Sequence, residues 1–167
     1  SEKVFMKIQD SDEELSHEFI QRIHAQLLEN IDSRTGYRVH DVRVTKTNFK
    51  STPAPYVKTD MELLLKWYFE NNKLHPFALA ALFHHKFEKI HPFMDGNGRT
   101  GRILFNYILL KNDYPPGIIR RKNRSSYIDA LQEADKEELF KSAPKHYEKL
   151  VQFIADELLE SYLNIFL

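Results

Sequence analysis

Residues 90–102 read Ile-His-Pro-Phe-Met-Asp-Gly-Asn-Gly-Arg-Thr-Gly-Arg, and no other stretch of the chain holds as many reactive groups. A glycine-rich turn lets backbone N–H groups converge on an anion, and a helix that starts just after it adds the positive end of its dipole. Pro92 disfavours helical geometry at the residue before it, so an upstream helix should end near His91. The segment therefore predicts a phosphate site with a histidine facing it.

The glycines of this segment also satisfy the pattern G-x-G-x-x-G, at Gly96, Gly98 and Gly101. In a dinucleotide-binding fold this pattern follows a buried β-strand within a βαβ unit. Here the preceding residues 76–90 carry apolar side chains at helical spacing and begin with a proline suited to a first turn. A P-loop fails on spacing, because no Gly-Lys-Ser/Thr follows. The context argues against both nucleotide motifs.

A zinc site is a further alternative, with His84, His85, His91 and Asp95 as candidate ligands. Pro92 breaks the single-helix geometry that His91 and Asp95 would need in order to share a face. Neither a cysteine nor an H-E-x-x-H pattern assists. The pattern favours phosphate over zinc and leaves zinc open.

The run that follows the turn predicts where the arginines point. Residues 102–110 are apolar on nearly all sides, which is typical of a buried central helix. The polar exceptions Arg99, Arg102 and Asn106 share one face directed back toward the turn. Guanidinium groups in such a setting need anionic partners. These are either Asp95 or another carboxylate in a structural network, or a polyphosphate, which the adjoining glycines favour.

Hydrophobic spacing elsewhere predicts helices with a single β interruption. Apolar residues that advance by four from Leu15 to Ile31 indicate a first helix, which stops before residues 33–36. An alternating, β-branched stretch then predicts a short hairpin at about residues 38–56. Further helices are expected at about 58–70, 124–133 and 137–167, the last with a bend at Pro144 and a long apolar stripe.

Composition limits the class of protein. A chain of 167 residues fits one domain with a sizeable core. Lys+Arg and Asp+Glu both number 24, so bulk attraction to nucleic acid or to a membrane is not indicated. The lack of cysteine excludes disulfides and thiol catalysis, and with neither a long apolar run nor a signal-peptide start we expect a cytoplasmic protein. The apolar ending Ile165-Phe166-Leu167 raises docking, dimerisation or a removed downstream domain as explanations.

Residues 91–102 closely resemble the HPFx(D/E)GNGRxxR signature of the Fic domain family, and every defining position is filled. Fic enzymes mostly transfer AMP from ATP to a protein hydroxyl, whereas the related Doc kinases lack these glycines and transfer phosphate. Gly36-Tyr37-Arg38 with the alternating stretch resembles the family's flap, and residues 114–135 resemble the region after its core helix. The resemblance implies a single Fic domain over residues 1–167, an all-α helical bundle with a short β-hairpin flap beside the active site.

The resemblance also implies a role for each position of the motif. His91 would be the general base. Asp95 would hold the Mg²⁺ cofactor that bridges phosphate oxygens of the co-substrate ATP. Backbone amides and the Asn97 side chain would form an anion hole, while the arginines grip the terminal phosphates. The implied phosphate-binding residues are Gly96, Asn97, Gly98, Arg99, Thr100, Gly101 and Arg102.

An adenine pocket is implied at the region after the core helix. Relatives with a Tyr-Pro-Pro segment line this pocket with a Tyr-Tyr pair and a later Asn, where the present chain has Tyr127, Ile128 and Asp135. Ile cannot stack as Tyr does, and Asp cannot donate as an amide does. We therefore expect ATP to remain preferred, with weaker recognition of its base.

The flap is expected to hold a protein substrate along Val44, Thr45, Lys46 and Thr47. An exposed strand edge fixes an extended segment through backbone hydrogen bonds without reading its side chains. A plain surface hairpin would show the same pattern.

The function expected from the resemblance is a protein adenylyltransferase, which moves AMP from ATP to a Tyr, Ser or Thr hydroxyl and releases pyrophosphate. The alternatives are a deAMPylase, which removes AMP, and a regulatory module that binds nucleotide without transfer.

Control of the site is expected to come from outside the motif. Many Fic proteins carry an inhibitory S/T-x-x-x-E-G/N helix whose Glu pairs with the second motif arginine. Here Ala25 occupies the Ser/Thr position before Glu29 and Asn30, so the inhibitory pattern is incomplete. We expect Arg102 to be unpaired by an internal glutamate and available to ATP, so that this chain is constitutively competent. A homodimer, or a separate inhibitory protein or domain, is a further expected partner.

Overall fold

The computed structural model describes residues 13–29, 31, 34, 36–42, 50–140 and 146–166. Residues 165 and 166 are described by their backbone alone. Short 3-10 helices at Ala54–Tyr56 and Arg121–Asn123 precede the second and fifth α-helices. No strand occurs in these described ranges, and the all-α class is confirmed. The α-helices of the described residues are α1 His17–Leu27, α2 Val57–Glu70, α3 Pro76–Ile90, α4 Asn97–Leu110, α5 Arg124–Ala134 and α6 Glu148–Phe166.

Helix α4 is buried along most of its length, as the sequence predicted, and its neighbour α3 contacts the larger number of helices. It packs along α3 and against α1, while α3 also contacts α2 and α6. The helix begins at Asn97 rather than at Arg102, so Gly98 and Gly101 lie inside it. Its buried apolar residues are Ile103, Leu104, Phe105, Tyr107, Ile108 and Leu109.

Helix α3 begins and ends where the sequence predicted. The His75 side chain caps it by accepting a hydrogen bond from the Phe77 N–H at 3.3 Å, and Pro76 occupies its first turn. Local signals at both ends suffice here, because Pro76 favours a start and Pro92 prevents continuation.

Helix α1 is shorter than predicted. The Ser16 hydroxyl caps its start by accepting from the Phe19 N–H at 3.1 Å. The helix ends at Leu27, and Ile31, which was expected to extend its apolar face, is 65% exposed. The Leu28 N–H closes the last turn on the His24 carbonyl.

The prediction that the last helix starts at about residue 137 is wrong, because residues 137–140 are not helical and α6 begins at Glu148. The Glu137 carboxylate accepts from the His146 N–H at 3.1 Å, and the Glu137 carbonyl accepts from Lys89 Nζ at 2.6 Å. The His146 N–H and the Glu137 carbonyl are backbone groups that would bond within the helix if it began at residue 137. The predicted apolar stripe is buried at Tyr147, Leu150, Ile154 and Leu158. None of the helices in the described ranges is long and apolar enough to cross a membrane.

The predicted hairpin at about residues 38–56 is only partly described. Residues 38–42 and 50–53 form no strand, and residues 54–56 form a 3-10 helix, so the predicted boundary at 56 is wrong. Residues 43–49 lie outside the described residues. The hairpin therefore stays a prediction for that inner segment.

Lys86 is a buried lysine that joins several elements. Its ammonium donates to the Leu139 carbonyl and lies 4.9 Å from the ring centre of Trp67 on α2 and 5.3 Å from that of Tyr147. Burial lowers the pKa of Lys86 to about 8. The carbonyl and the ring faces compensate the buried cation, so Lys86 connects α2 and α3 to the segment that leads into α6.

Candidate active site

The loop between α3 and α4 is organised around the Asn97 side chain, which is 2% exposed. Asn97 Oδ1 accepts from the Phe93 N–H at 2.9 Å, and Asn97 Nδ2 donates to the Phe93 carbonyl at 2.8 Å. From α1, the His24 ring stacks on Phe93 with centroids 3.6 Å apart, and His24 Nε2 donates to the Asp95 carbonyl at 2.9 Å. Asn97 and His24 together fix the course of the loop.

Two predicted phosphate ligands therefore have different roles. The Asn97 side chain faces the loop rather than an anion, and the buried Thr100 hydroxyl donates to the Gly96 carbonyl at 3.0 Å. Their side chains shape the site from within. Asn97 lies in the first turn of α4, where a backbone N–H has no acceptor inside the helix, whereas the Thr100 N–H donates to the Gly96 carbonyl at 2.9 Å.

Gly96 sets the start of α4. Its φ of 78° is left-handed, and a Cβ there would lie 3.3 Å from the Leu28 side chain. Gly96 has no side chain with which to cap the helix. The N–H groups of Asn97 and Gly98 are thus left to an external anion, at the positive end of the helix dipole.

His91 stands immediately after α3 in a left-handed conformation, with φ 53° and ψ 60°. Its N–H bonds to the Phe87 carbonyl at 2.9 Å, and its Nδ1 donates to the Glu88 carbonyl at 3.3 Å. Burial lowers the pKa of His91, and the Arg38 cation lowers it further, whereas Asp95 opposes them. The imidazole is therefore neutral at pH 7 with its lone pair on Nε2, the form that accepts a proton.

Arg38 supports this histidine, and sequence reasoning missed it. Its Nε donates to the His91 carbonyl at 2.7 Å, and its backbone N–H donates to the Pro92 carbonyl at 2.8 Å. The guanidinium, which is buried, also donates to the carbonyls of His40, at 3.0 Å, and Thr52. A left-handed non-glycine residue is strained unless its surroundings hold it. The only sequence signal was the position of Arg38 in Gly36-Tyr37-Arg38.

Asp95 and the two motif arginines carry the exposed charges of the site. Asp95 Oδ1 accepts from the Gly96 N–H at 2.6 Å, and Oδ2 lies 3.5 Å from Arg99 Nη2. The Asp95 side chain is 61% exposed. Arg102 is also exposed and forms no ion pair with the residues that the structure describes. Of the two partners left open by the sequence, Arg99 takes the carboxylate, and Arg102 is available to an anion.

Gly98 and Gly101 lie inside α4, and their lack of a side chain also serves helix packing. A Cβ at Gly101 would lie 2.6 Å from Glu88 Oε1 and 3.0 Å from His84 Nδ1 on α3. A Cβ at Gly98 would lie 3.3 Å from Arg102 Nη1. Gly101 therefore permits the close approach of α3 and α4, and Gly98 makes room for the Arg102 guanidinium.

A sequence model of the Fic/DOC family matches residues 14–109, more than half of the chain. The chain belongs to the Fic/DOC family. A curated relative, the protein adenylyltransferase Fic of Drosophila grimshawi, is 42% identical over 98 residues, which are 59% of this chain and 18% of that protein. Protein adenylyltransferase fic-1 of Caenorhabditis elegans is 30% identical over 158 residues, 92% of this chain and 31% of that protein. This chain thus spans less than a third of either relative.

A solved structure shows the same fold. The crystal structure of a Fic-domain-containing signalling protein from Bacteroides thetaiotaomicron matches with a TM-score of 0.84 and 28% identity. The match covers 97% of this chain and 66% of that one. The Fic-type helical bundle expected from the motif is confirmed.

The side chains expected at the adenine pocket of this Fic domain bond to α3. The Tyr127 hydroxyl is hydrogen-bonded to His84 Nε2, and Asp135 Oδ1 accepts from His85 Nε2 at 2.8 Å. Ile128 is half-buried. The pocket stays a prediction, with the polar groups of Tyr127 and Asp135 engaged by histidines.

The same contacts bear on the zinc alternative. The two histidines direct Nε2 to different partners, His84 to Tyr127 and His85 to Asp135. Within the described ranges, no group of three or more His, Cys, Asp or Glu side chains could hold a metal ion.

The predicted flap residues Val44, Thr45, Lys46 and Thr47 lie outside the described residues.

Proposed function

We propose that this Fic domain is a protein adenylyltransferase, which transfers AMP from ATP to a Tyr, Ser or Thr hydroxyl of a protein and releases pyrophosphate. The observation that carries the proposal is the placement of His91. Its neutral imidazole is fixed at the end of α3, one loop away from the open N-terminus of α4. The curated relatives named protein adenylyltransferase support the same reaction.

The chemistry needs a proton acceptor and a charged cradle. His91 Nε2 takes the proton of the target hydroxyl as its oxygen bonds to the α-phosphorus of ATP. The bond from the α-phosphorus to the bridging oxygen breaks, and its electron pair leaves with pyrophosphate. The first-turn N–H groups of α4 stabilise the charge that develops on the phosphate, while Arg99 and Arg102 hold the terminal phosphates.

Asp95 fits a magnesium ion. Its exposed carboxylate stands at the start of α4, and Mg²⁺ is commonly held by one or two carboxylates together with substrate phosphates. When bound, the ion neutralises negative charge on the phosphates. Arg99, now 3.5 Å from Asp95 Oδ2, has those phosphates as alternative anionic partners.

We further propose that the protein substrate lies along residues 44–47, as an added strand. The described flanks support this placement, because Arg38 binds carbonyls on both sides of the segment and the His91 carbonyl as well. A target held there is held at a fixed position relative to the base. Backbone pairing leaves the identity of the target open to many sequences.

The proposal is tested by incubating the chain with ATP labelled on its α-phosphate and a cell lysate, followed by mass spectrometry for AMP adducts. We expect adducts with the wild type and none with His91→Ala, while both proteins bind ATP, because the variant loses proton acceptance and keeps the phosphate contacts. Undiminished labelling by the variant would refute the role of His91. ATP binding without adducts would indicate a regulatory module, and loss of AMP from a modified protein would indicate deAMPylation.

A further inference from the structure

Glu88 is a buried carboxyl group that the proposed reaction does not use. It lies on α3 and reaches the first turns of α4, where Oε1 is 2.6 Å from the position of a Cβ on Gly101 and 3.9 Å from that of a Cβ on Gly98. Oε1 is sealed from solvent and has no hydrogen-bond partner among the described residues. An unsatisfied carboxyl oxygen in such a place is costly, so its presence calls for an explanation.

The charged neighbour of this carboxyl is Arg102. Arg102 Nη1 lies 3.3 Å from the same Cβ position on Gly98, so the guanidinium and the Glu88 carboxyl flank one glycine. They do not form an ion pair within 4.0 Å. Arg102 is exposed and belongs to the proposed grip on the terminal phosphates, so it has freedom to move toward either anion.

The other titratable groups around Glu88 are Tyr127, His84 and His91; His84 Nδ1 has no hydrogen-bond partner among the described residues and lies 3.0 Å from the same Cβ position on Gly101. On α5, the Tyr127 hydroxyl is bonded to His84, and Arg124 acts on Tyr127. On α3 itself, burial and Arg102 lower the pKa of His84 to about 3, and His91 contacts only the Glu88 backbone carbonyl. Both histidines are neutral at pH 7. Arg102 on α4 is therefore the cation that acts on the Glu88 carboxyl.

Burial raises the pKa of Glu88 to about 7, and Arg102 opposes the rise. The acid and the carboxylate are therefore both populated near neutral pH. The two forms interact differently with Arg102, because only the carboxylate attracts a guanidinium strongly.

We propose that Glu88 is a positioning residue for Arg102: as a carboxylate it draws the guanidinium back across Gly98, and as a neutral acid it releases it to the terminal phosphates of ATP. This inference rests on the proposed function. ATP brings negative charge to Arg102, so the bound nucleotide raises the proton affinity of Glu88 and binding takes up a proton. Since the complex binds more protons than the free protein, ATP affinity falls as pH rises through neutrality.

The test is calorimetric titration of Mg-ATP into the wild-type chain, Glu88→Gln and Glu62→Gln, in two buffers of different ionisation enthalpy. Glu62 is an exposed carboxylate on α2 and serves as the matched control. We expect proton uptake near pH 7 in the wild type and in the control, and its loss in Glu88→Gln. If ATP raises the pKa of Glu88 by one unit from about 7, Kd rises about fivefold more between pH 6 and pH 8 in the wild type than in Glu88→Gln. Protons bound by ATP and by His91 are common to all three proteins.

The outcomes separate the two proposals. Equal proton uptake and equal pH profiles in all three proteins, with ATP bound, would overturn the role of Glu88 and leave the proposed function standing. Failure of all three folded proteins to bind ATP would overturn both. If Glu88→Gln did not fold, the ¹³C carboxyl titration of Glu88 in the wild type would decide, because the inference requires its midpoint to rise when ATP is added and an unmoved midpoint refutes it.

Discussion

At the scale of the residue, Arg38 shows how His91, the proposed base, is held by a side chain 53 positions away in sequence. His91 has a left-handed backbone that a residue with a Cβ adopts only when its surroundings impose it. The buried Arg38 fork supplies that constraint through the His91 carbonyl, at 2.7 Å, and the neighbouring carbonyls. Arg38 also acts on His91 electrostatically, because its cation helps to lower the pKa of His91.

Replacement of Arg38 should separate catalysis from nucleotide binding. We expect Arg38→Ala to lower kcat by about a hundredfold, since a shift of roughly 1 Å in a reacting group has an effect of that size. ATP affinity should change little, because the first turn of α4 is not touched by this side chain. Arg38→Lys should recover only part of kcat, since an ammonium cannot reproduce the guanidinium fork. Steady-state kinetics would measure kcat and the affinity for ATP, with Arg22→Ala, which replaces an exposed arginine on α1, as the control. Unchanged kcat in Arg38→Ala would contradict the role of Arg38 in holding His91.

Asp95 allows its charge to be tested apart from its hydrogen bond. Asp95→Asn keeps an oxygen that can accept from the Gly96 N–H, which is now 2.6 Å away, but removes the negative charge. We expect Asp95→Asn to raise the Mg²⁺ concentration needed for half-maximal transfer by at least about tenfold, because a neutral amide is a poor ligand for a hard cation. Asp95→Ala should show the same loss together with a less stable loop. A magnesium titration of transfer rate measures this, and an unaltered requirement in Asp95→Asn would make Asp95 structural.

At the scale of the element, the contact of α3 with α4 depends on a glycine that is helical. Gly101 lowers helix propensity, yet its missing Cβ is where Glu88 Oε1 and His84 Nδ1 lie. Close packing of the two helices thus prevails over local preference. It also places the Glu88 carboxyl of α3 against the first turns of α4, where phosphate is proposed to bind.

Two glycine substitutions should differ in stability for this reason. Gly101→Ala places a Cβ 2.6 Å from Glu88 Oε1, so α3 and α4 must separate, and we expect unfolding free energy to fall by about 1–3 kcal/mol. Gly98→Ala meets the end of the flexible Arg102 side chain at 3.3 Å and Glu88 Oε1 at 3.9 Å, an ordinary contact, so its stability should be nearly unchanged or slightly higher. Urea denaturation of both variants beside the wild type gives the comparison. Equal losses would show that the helices adjust to a Cβ at Gly101.

The elements that sequence reasoning placed correctly are those with local signals. Prolines at both ends define α3, and helical periodicity places α2 and the body of α4. The start of α4 was missed because Gly98 and Gly101 suggested a turn, and the reason for these glycines is a contact with another helix. The start of α6 was missed because Glu137 is engaged by Lys89 and His146, far from it in sequence.

In the candidate site, too, sequence reasoning identified the residues that carry a local signal. The motif itself identified His91 and Asp95, since their types and spacing carry the chemistry. Sequence could not predict that the side chains of Asn97 and Thr100 bond to the backbone of the loop. Nor could it predict the support of His91 by Arg38, because these contacts depend on partners that only the folded chain brings near. Sequence thus indicated which groups are proposed to react, and the structure added the contacts that hold them.

At the scale of the whole molecule, Lys86 is a buried charge on which three regions converge. Trp67 from α2, Tyr147 before α6 and the Leu139 carbonyl surround its ammonium. Such a group stabilises the fold through its contacts but is held below its normal proton affinity by burial.

Lys86 should therefore give the stability of the bundle a pH dependence. The unfolded chain keeps this proton up to a pKa of 10.5, whereas the folded chain releases it at about 8, so between these values the unfolded state binds more protons and stability rises with pH. We expect the unfolding free energy of the wild type to gain on that of Lys86→Met by up to about 3 kcal/mol across this window. Chemical denaturation of both proteins from pH 7 to pH 10 measures the gain. Parallel curves would mean that Lys86 titrates normally.

The Arg38 fork has a consequence for how such a domain can diversify. It binds the His40 and Thr52 carbonyls, one on each side of residues 43–49, together with the His91 carbonyl. These contacts involve no side chain of residues 43–49. Under the proposed function, in which the protein substrate lies along residues 44–47, exchange of that segment would therefore redirect the reaction to a new target while the Arg38 contacts to His91 are kept.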